Sequence, residues 1–101
     1  MTDKLWKQAE RKLAEILGGR RVPVTGRQRG SAPDVEHKRF SIEVKHRENL
    51  PDWILDAMNQ ADESNNGSQI SVVLLHQKGM AYTESLAVIR VKDLAKLDKQ
   101  E

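Results

Sequence analysis

Cysteine is absent from the 101 residues of this chain, which excludes disulfides and thiolate-bound metal sites. A reducing compartment suits such a chain, and a cytoplasmic location is the expectation. Long apolar runs are lacking as well. None approaches the ~20 residues that a membrane-spanning helix needs, so no membrane association is expected. The amino terminus is charged and helix-like, without the apolar stretch of a secretory signal. Aromatic residues are scarce, at 4%, and Trp6 and Trp53 read as core or interface residues. With no thiolate available, a divalent metal would be held by carboxylates, backbone oxygens, water or the three histidines. Carboxylate and water ligands favour Mg²⁺, or Mn²⁺, over zinc.

What is present suits one compact domain over residues 1–101: 38% hydrophobic residues, 32% charged, and too short a chain for two independent cores. The net charge of +2 is unevenly spread. Residues 1–50 hold 12 Lys/Arg against 7 Asp/Glu, a balance of +5, whereas residues 51–101 hold 5 against 8, a balance of −3. Arg20, Arg21, Arg27 and Arg29 fall between Gly18 and Gly30 with no acid among them. A basic cluster of this kind points to a polyanionic partner, although a solvated charged face is its commoner meaning.

Leu5, Trp6, Ala9, Leu13, Ile16 and Leu17 recur at helical spacing, so a helix is predicted from Asp3 to Leu17. Leu5, Ala9, Leu13 and Ile16 would mark its buried face. Thr2 or Asp3 would cap its start and Gly18-Gly19 its end. A short β-branched stretch, Arg20–Thr25, leads into a Gly/Arg-rich loop. Asp34–His37 and Arg39–Lys45 read as two strands, the second with Phe40, Ile42 and Val44 alternating against Ser41, Glu43 and Lys45. A second helix is predicted from Pro51 toward Ser64. Ile70–Leu75 is apolar enough for a buried strand, and Ser85–Val91 reads as a further strand before a short amphipathic tail. The expected fold class is α/β, with an antiparallel meander, a parallel crossover from Ile42 to Val72, and helices flanking the mixed sheet.

The segment PDVEHKRFSIEVKH, Pro33 to His46, carries the chemistry. In a hairpin centred between Lys38 and Arg39, residues whose numbers sum to 77 face one another. Asp34 and Glu43 meet that condition, and Lys45 lies two residues further along the same face. Opposed carboxylates repel unless a cation and a neighbouring lysine offset them. A divalent ion held there would polarise a phosphodiester and activate a water, with Lys45 orienting that water or balancing transition-state charge. The plain alternative is that Glu43 and Lys45 form the wet face of a strand.

The stretch AERKLAEILGGRRVPVTGRQRGSAPDVEHKRFSIEVKHR resembles the core of PD-(D/E)xK nucleases, especially the archaeal-type Holliday-junction resolvases and their phage relatives. In that family a glutamate on the first helix, an aspartate after a Gly/Ser/Arg loop, and an E-V-K strand build one metal site. The matching positions are Glu10, Asp34 and Glu43-Val44-Lys45, with Glu15 a competitor for the first. The resemblance implies a restriction-endonuclease-like core. It implies an Mg²⁺-dependent endodeoxyribonuclease, a hydrolase cutting a four-way DNA junction during recombination in a prokaryotic or phage-infected cell. Two symmetric cuts suggest a homodimer. Alternatives are a nicking or linear-duplex nuclease and a non-catalytic DNA-binding module.

Arg20, Arg21, Thr25, Arg27 and Arg29 are the expected DNA-binding residues. Thr25 falls where the resolvases tend to carry a loop serine, and it reads equally as a turn-former. Arginine forks suit phosphate oxygens. His37, His46 and His76 are not spaced to share a metal. Gln60 reads as a possible partner of Lys45, or simply as exposed.

Overall fold

A computed structural model of the chain describes residues 5–23 and 32–99. Thr25, Arg27 and Arg29, and the expected caps Thr2 and Asp3, lie outside the described residues. The chain, read from its sequence as a single domain, packs as two compact units, Met1–Glu48 and Asn49–Glu101.

The first unit opens with helix α1, Leu5–Leu17. It ends in a Schellman arrangement: Gly18 adopts φ 74° and donates to the Glu15 carbonyl, while Gly19 donates to the Ala14 carbonyl. Three short strands follow: β1 (Arg20–Arg21), β2 (Val35–Glu36) and β3 (Ser41–Ile42). They pair in the order β1-β2-β3, antiparallel throughout, which is the expected meander. Val35 pairs with Ile42 and Glu36 with Ser41, so the hairpin has the predicted sum-77 register. Its turn uses no glycine or proline. His37 Nδ1 accepts the Arg39 and Phe40 amides, at 3.0 and 3.3 Å, and its ring stacks on Phe40.

Helix α1 lies against β1 and β2, but its buried stripe is not the one expected. Leu5 and Ile16 are exposed, and Ala9 and Leu13 are only half-buried. The buried positions are Glu10, Ala14 and Leu17, at the i, i+4, i+7 spacing of one helix face. The stripe is rotated toward Glu10 because that carboxylate finds a charged partner inside the unit (below). Val35, fully buried, sits at the middle of this small core. Gly19 marks the closest approach of α1's end to the sheet, since a Cβ there would strike the Glu36 carbonyl oxygen and crowd Val35.

The second unit comprises α2 (Asp52–Glu63), β4 (Val73–Leu75), a 3-10 turn (Tyr82–Glu84), β5 (Leu86–Val88) and α3 (Val91–Lys99). Pro51 occupies the N-cap position of α2, and its carbonyl receives the amides of Ile54 and Leu55. Asn65 organises the link after α2, with its side chain bonded to Gln69, Ser71 and Gly67. β4 and β5 form a two-stranded antiparallel sheet, Val73 opposite Val88, with α2 packed against β4.

Here the expectation of a mixed sheet is corrected. No parallel pair occurs among the described residues; the fold is α/β with three helices and two small antiparallel sheets. β4 takes β5, which follows after ten residues, and closing so short a link costs little entropy. The Ile70–Leu75 stretch is not a doubly buried strand either. Leu74 is 73% exposed while Val73 and Leu75 are half-buried, the alternation of a sheet covered on one face.

Candidate functional site

Glu10 is the unusual residue of the first unit. It lies on the buried stripe of α1 with 4% of its surface exposed. A carboxylate removed from water to this degree needs a partner. Arg21, on β1, supplies it: Arg21 Nε donates to Glu10 Oε1 at 2.7 Å. The guanidinium carbon also lies 5.7 Å from the centre of the Trp6 ring, within cation–π range. Trp6 is four residues before Glu10, hence on the same helix face. Arg21 Nη2 is buried and has no hydrogen-bond partner among the described residues.

Arg20 behaves differently. It points to solvent and pairs across the strands with Glu36 at 2.7 Å, both side chains more than half exposed. Successive residues of β1 therefore send one guanidinium outward and one into the unit, as the strand's alternation requires.

Asp34 precedes β2 and is 8% exposed. Its carbonyl accepts the Val22 amide and its own amide donates to the Ile42 carbonyl. That acceptor is one residue short of the Glu43 carbonyl, to which strict continuation of the sum-77 register would lead. The ladder therefore departs from regular pairing at this step. Asp34 Oδ2 instead receives the Val44 amide at 2.7 Å. A carboxylate–amide hydrogen bond of this length is charge-assisted. It ties the Glu43-Val44-Lys45 segment to Asp34 through a side chain where the strand pairing has stopped.

Glu43 and Lys45 are exposed, with Ile42 and Val44 half-buried between them. The in–out alternation expected of this segment is present beyond the end of β3. Asp34 and Val44 are thus brought together directly, with Glu43 and Lys45 on either side of Val44. Glu10 and Arg21 form a second pairing. Among the described residues, no three His, Asp or Glu side chains gather as a metal-binding group.

Two features escape a reading of the residues alone. One is the use of the Val44 amide, a backbone group, as Asp34's partner. The other is Trp6 beside Arg21, for which the i, i+4 spacing to Glu10 is the signal. His37 serves the hairpin turn, and His76 accompanies Tyr82 and the Met80 carbonyl in the second unit. Gln60 and Trp53 are exposed residues of that unit.

The second unit has its own ion pair. Arg90 Nη1 and Nη2 donate to Asp62 Oδ1 and Oδ2 at 2.9 and 2.7 Å, a two-pronged contact at the surface. The Arg90 hydrogen bonds, followed by one from Ser71, hold the Asp62 carboxyl down at about 2, and Asp62 in turn raises Arg90. No helix among the described residues is long and apolar enough to cross a membrane. No family model matches this chain, and comparisons with curated proteins and with solved structures give no significant match.

Proposed function

We propose that the chain is a metal-dependent endodeoxyribonuclease with a restriction-endonuclease-like core, cutting phosphodiesters of branched DNA, a four-way junction above all. The observation that carries this reading is the Asp34–Val44 hydrogen bond. It fastens the E-V-K segment to the one buried aspartate of the hairpin, which is where a nuclease of this type needs its acid, acid and lysine together.

Mg²⁺ asks for one or two protein carboxylates and completes its shell with water and phosphate oxygens. Asp34 and Glu43 are a donor set of that kind. When bound, the cation supplies Lewis-acid polarisation and an acidified water. The chain's own residues do the rest. Asp34 fixes the Val44 backbone and so the spacing of Glu43 and Lys45. Lys45, exposed beside them, contributes positive charge to the attacked phosphate and a proton for the transfer. Arg20, exposed at the edge strand β1, meets the DNA backbone as a phosphate contact. A homodimer follows from the need for two symmetric cuts, and sedimentation of the purified protein reads it directly.

The test incubates the protein with labelled junction, linear duplex and single strand, each with Mg²⁺ or with EDTA. Paired symmetric nicks confined to the junction are expected. Equal cutting of linear duplex would remove the junction preference, and tight metal-independent binding without products would leave a DNA-binding module. Asp34→Asn sharpens the test, because its amide oxygen still accepts from Val44 and preserves the hairpin. Cleavage should disappear while junction binding persists; full activity would exclude Asp34 from the site.

A further inference from the structure

We propose that Glu10 is a positioning residue for Arg21 and is not a ligand of the divalent cation; the inference rests on the nuclease reading above. The carboxylate that a three-acid metal site would need is already committed. Glu10 Oε1 holds Arg21 Nε at 2.7 Å, with only 5% of the glutamate side chain and 16% of the arginine side chain exposed. Taking Glu10 for a cation would remove the acceptor from Nε of a guanidinium whose Nη2 already lacks one among the described residues. A buried charge left in that state is costly, so exchange of Arg21 for a metal is opposed by the fold itself.

The orphan donor gives the pairing its purpose. Buried polar groups are nearly always satisfied, and those that are not often mark a functional position. Arg21 is anchored at Nε by Glu10 and flanked by the Trp6 face, which fixes the planar fork and leaves Nη2 as the donor still to be used. Its neighbour Arg20 is exposed at the same edge strand, so β1 carries one solvated phosphate contact and one held in reserve. The acceptor that fits a fixed guanidinium donor here is a phosphodiester oxygen. DNA engagement that shifts the cover over Nη2 supplies it while Glu10 keeps its hold on Nε. Glu10 thus acts on the reaction through Arg21, setting where the guanidinium waits.

The test uses the full chain and two measurements that do not need turnover. Mn²⁺ binding is followed by calorimetry for the wild type, Asp34→Asn and Glu10→Gln. Asp34→Asn should weaken binding by about tenfold or more, as loss of a ligand does, and Glu10→Gln should stay within about twofold, a change smaller than one hydrogen bond. A Glu10→Gln loss matching that of Asp34→Asn overturns the proposal. Junction affinity is then measured in EDTA for Glu10→Gln, Arg21→Lys and the pair. Each single change should weaken binding by about three- to tenfold, with the double change no worse than the poorer single. Lysine keeps the charge but has no fork, so an Arg21→Lys protein that binds like the wild type would reduce the pair to a structural bridge and overturn the proposal. Multiplying losses would do the same. Absence of Mn²⁺ binding and cleavage in the wild type would end the nuclease reading, and this inference with it; the other failures leave wild-type Mn²⁺ binding intact.

Discussion

The two units each contain an arginine–carboxylate pair at the same 2.7 Å separation, and the pairs differ in almost everything else. Glu10–Arg21 joins a helix to a strand within the first unit, nearly sealed from water. Asp62–Arg90 joins the end of α2 to the residue before α3, with about two-fifths of each side chain exposed. The surface pair has the better hydrogen bonding, two prongs against one, yet it carries less of its unit's structure. Exposed ions lose little by separating, because water replaces the partner. A buried ion has no such replacement. Geometry alone therefore ranks these pairs in the wrong order, and burial reverses it.

The largest effect should come from breaking the sealed pair on one side. Arg21→Met removes the guanidinium from beside the buried Glu10 carboxyl and should cost about 3–5 kcal/mol of unfolding free energy in urea. Removing both charges, with Glu10→Leu and Arg21→Met together, should return stability to within about 1 kcal/mol of the wild type or above it. If the single and double changes destabilise equally, the pair is not the source of the cost.

Next comes the joint between α1 and the sheet. Gly19→Ala drives a methyl onto the Glu36 carbonyl and Val35, and should cost about 1–3 kcal/mol as overpacking. Gly18→Ala meets nothing and carries only the left-handed backbone penalty of about 1–2 kcal/mol. Gly67 and Gly79 in the second unit, at φ 95° and 88° with open space around them, resemble Gly18 and not Gly19. A Gly19→Ala protein that melts like the wild type would show that the joint yields to a methyl group.

The smallest effect belongs to the surface pair and appears in acid. The Asp62 carboxyl is lowered from 3.8 to about 2, through its hydrogen bonds with Arg90 and Ser71. Its contribution to stability is therefore complete above about pH 4 and is lost as pH falls toward 2. Arg90→Gln should flatten that part of the stability–pH curve, and added salt should weaken the pair in the wild type. An unchanged curve in Arg90→Gln would assign the acid dependence to other carboxylates.

Much of the first unit was legible because local rules govern it. The 3.6-residue spacing located α1, the glycine pair its end, and the in–out alternation of Phe40–Lys45 the hairpin register. The rotation of α1's buried stripe was not legible. Apolar residues alone selected Leu5 and Ile16, whereas the favoured face contains Glu10 once Arg21 arrives from a strand eleven positions later. Non-local pairing of charges overrode the hydrophobic pattern. The same limit applies to β4, whose apolar run fits a parallel or an antiparallel partner equally well. In the site, the residue types and register were readable, but not the switch of Asp34 from facing Glu43 to bonding Val44. That switch depends on where a short ladder stops.

The Asp34–Val44 bond leaves a trace in exchange experiments. The Val44 amide lies two residues past the end of β3, where a backbone hydrogen would ordinarily trade with solvent deuterium quickly. Held by a buried carboxylate, it should exchange on the timescale of the strand amides, far behind those of His46 and Arg47. A ligand that draws charge from Asp34 Oδ2 weakens the hold on that hydrogen, whereas one seated on Oδ1 leaves it in place. The rate at which a single amide resonance fades in heavy water thereby reports the state of the Asp34 carboxylate, without substrate.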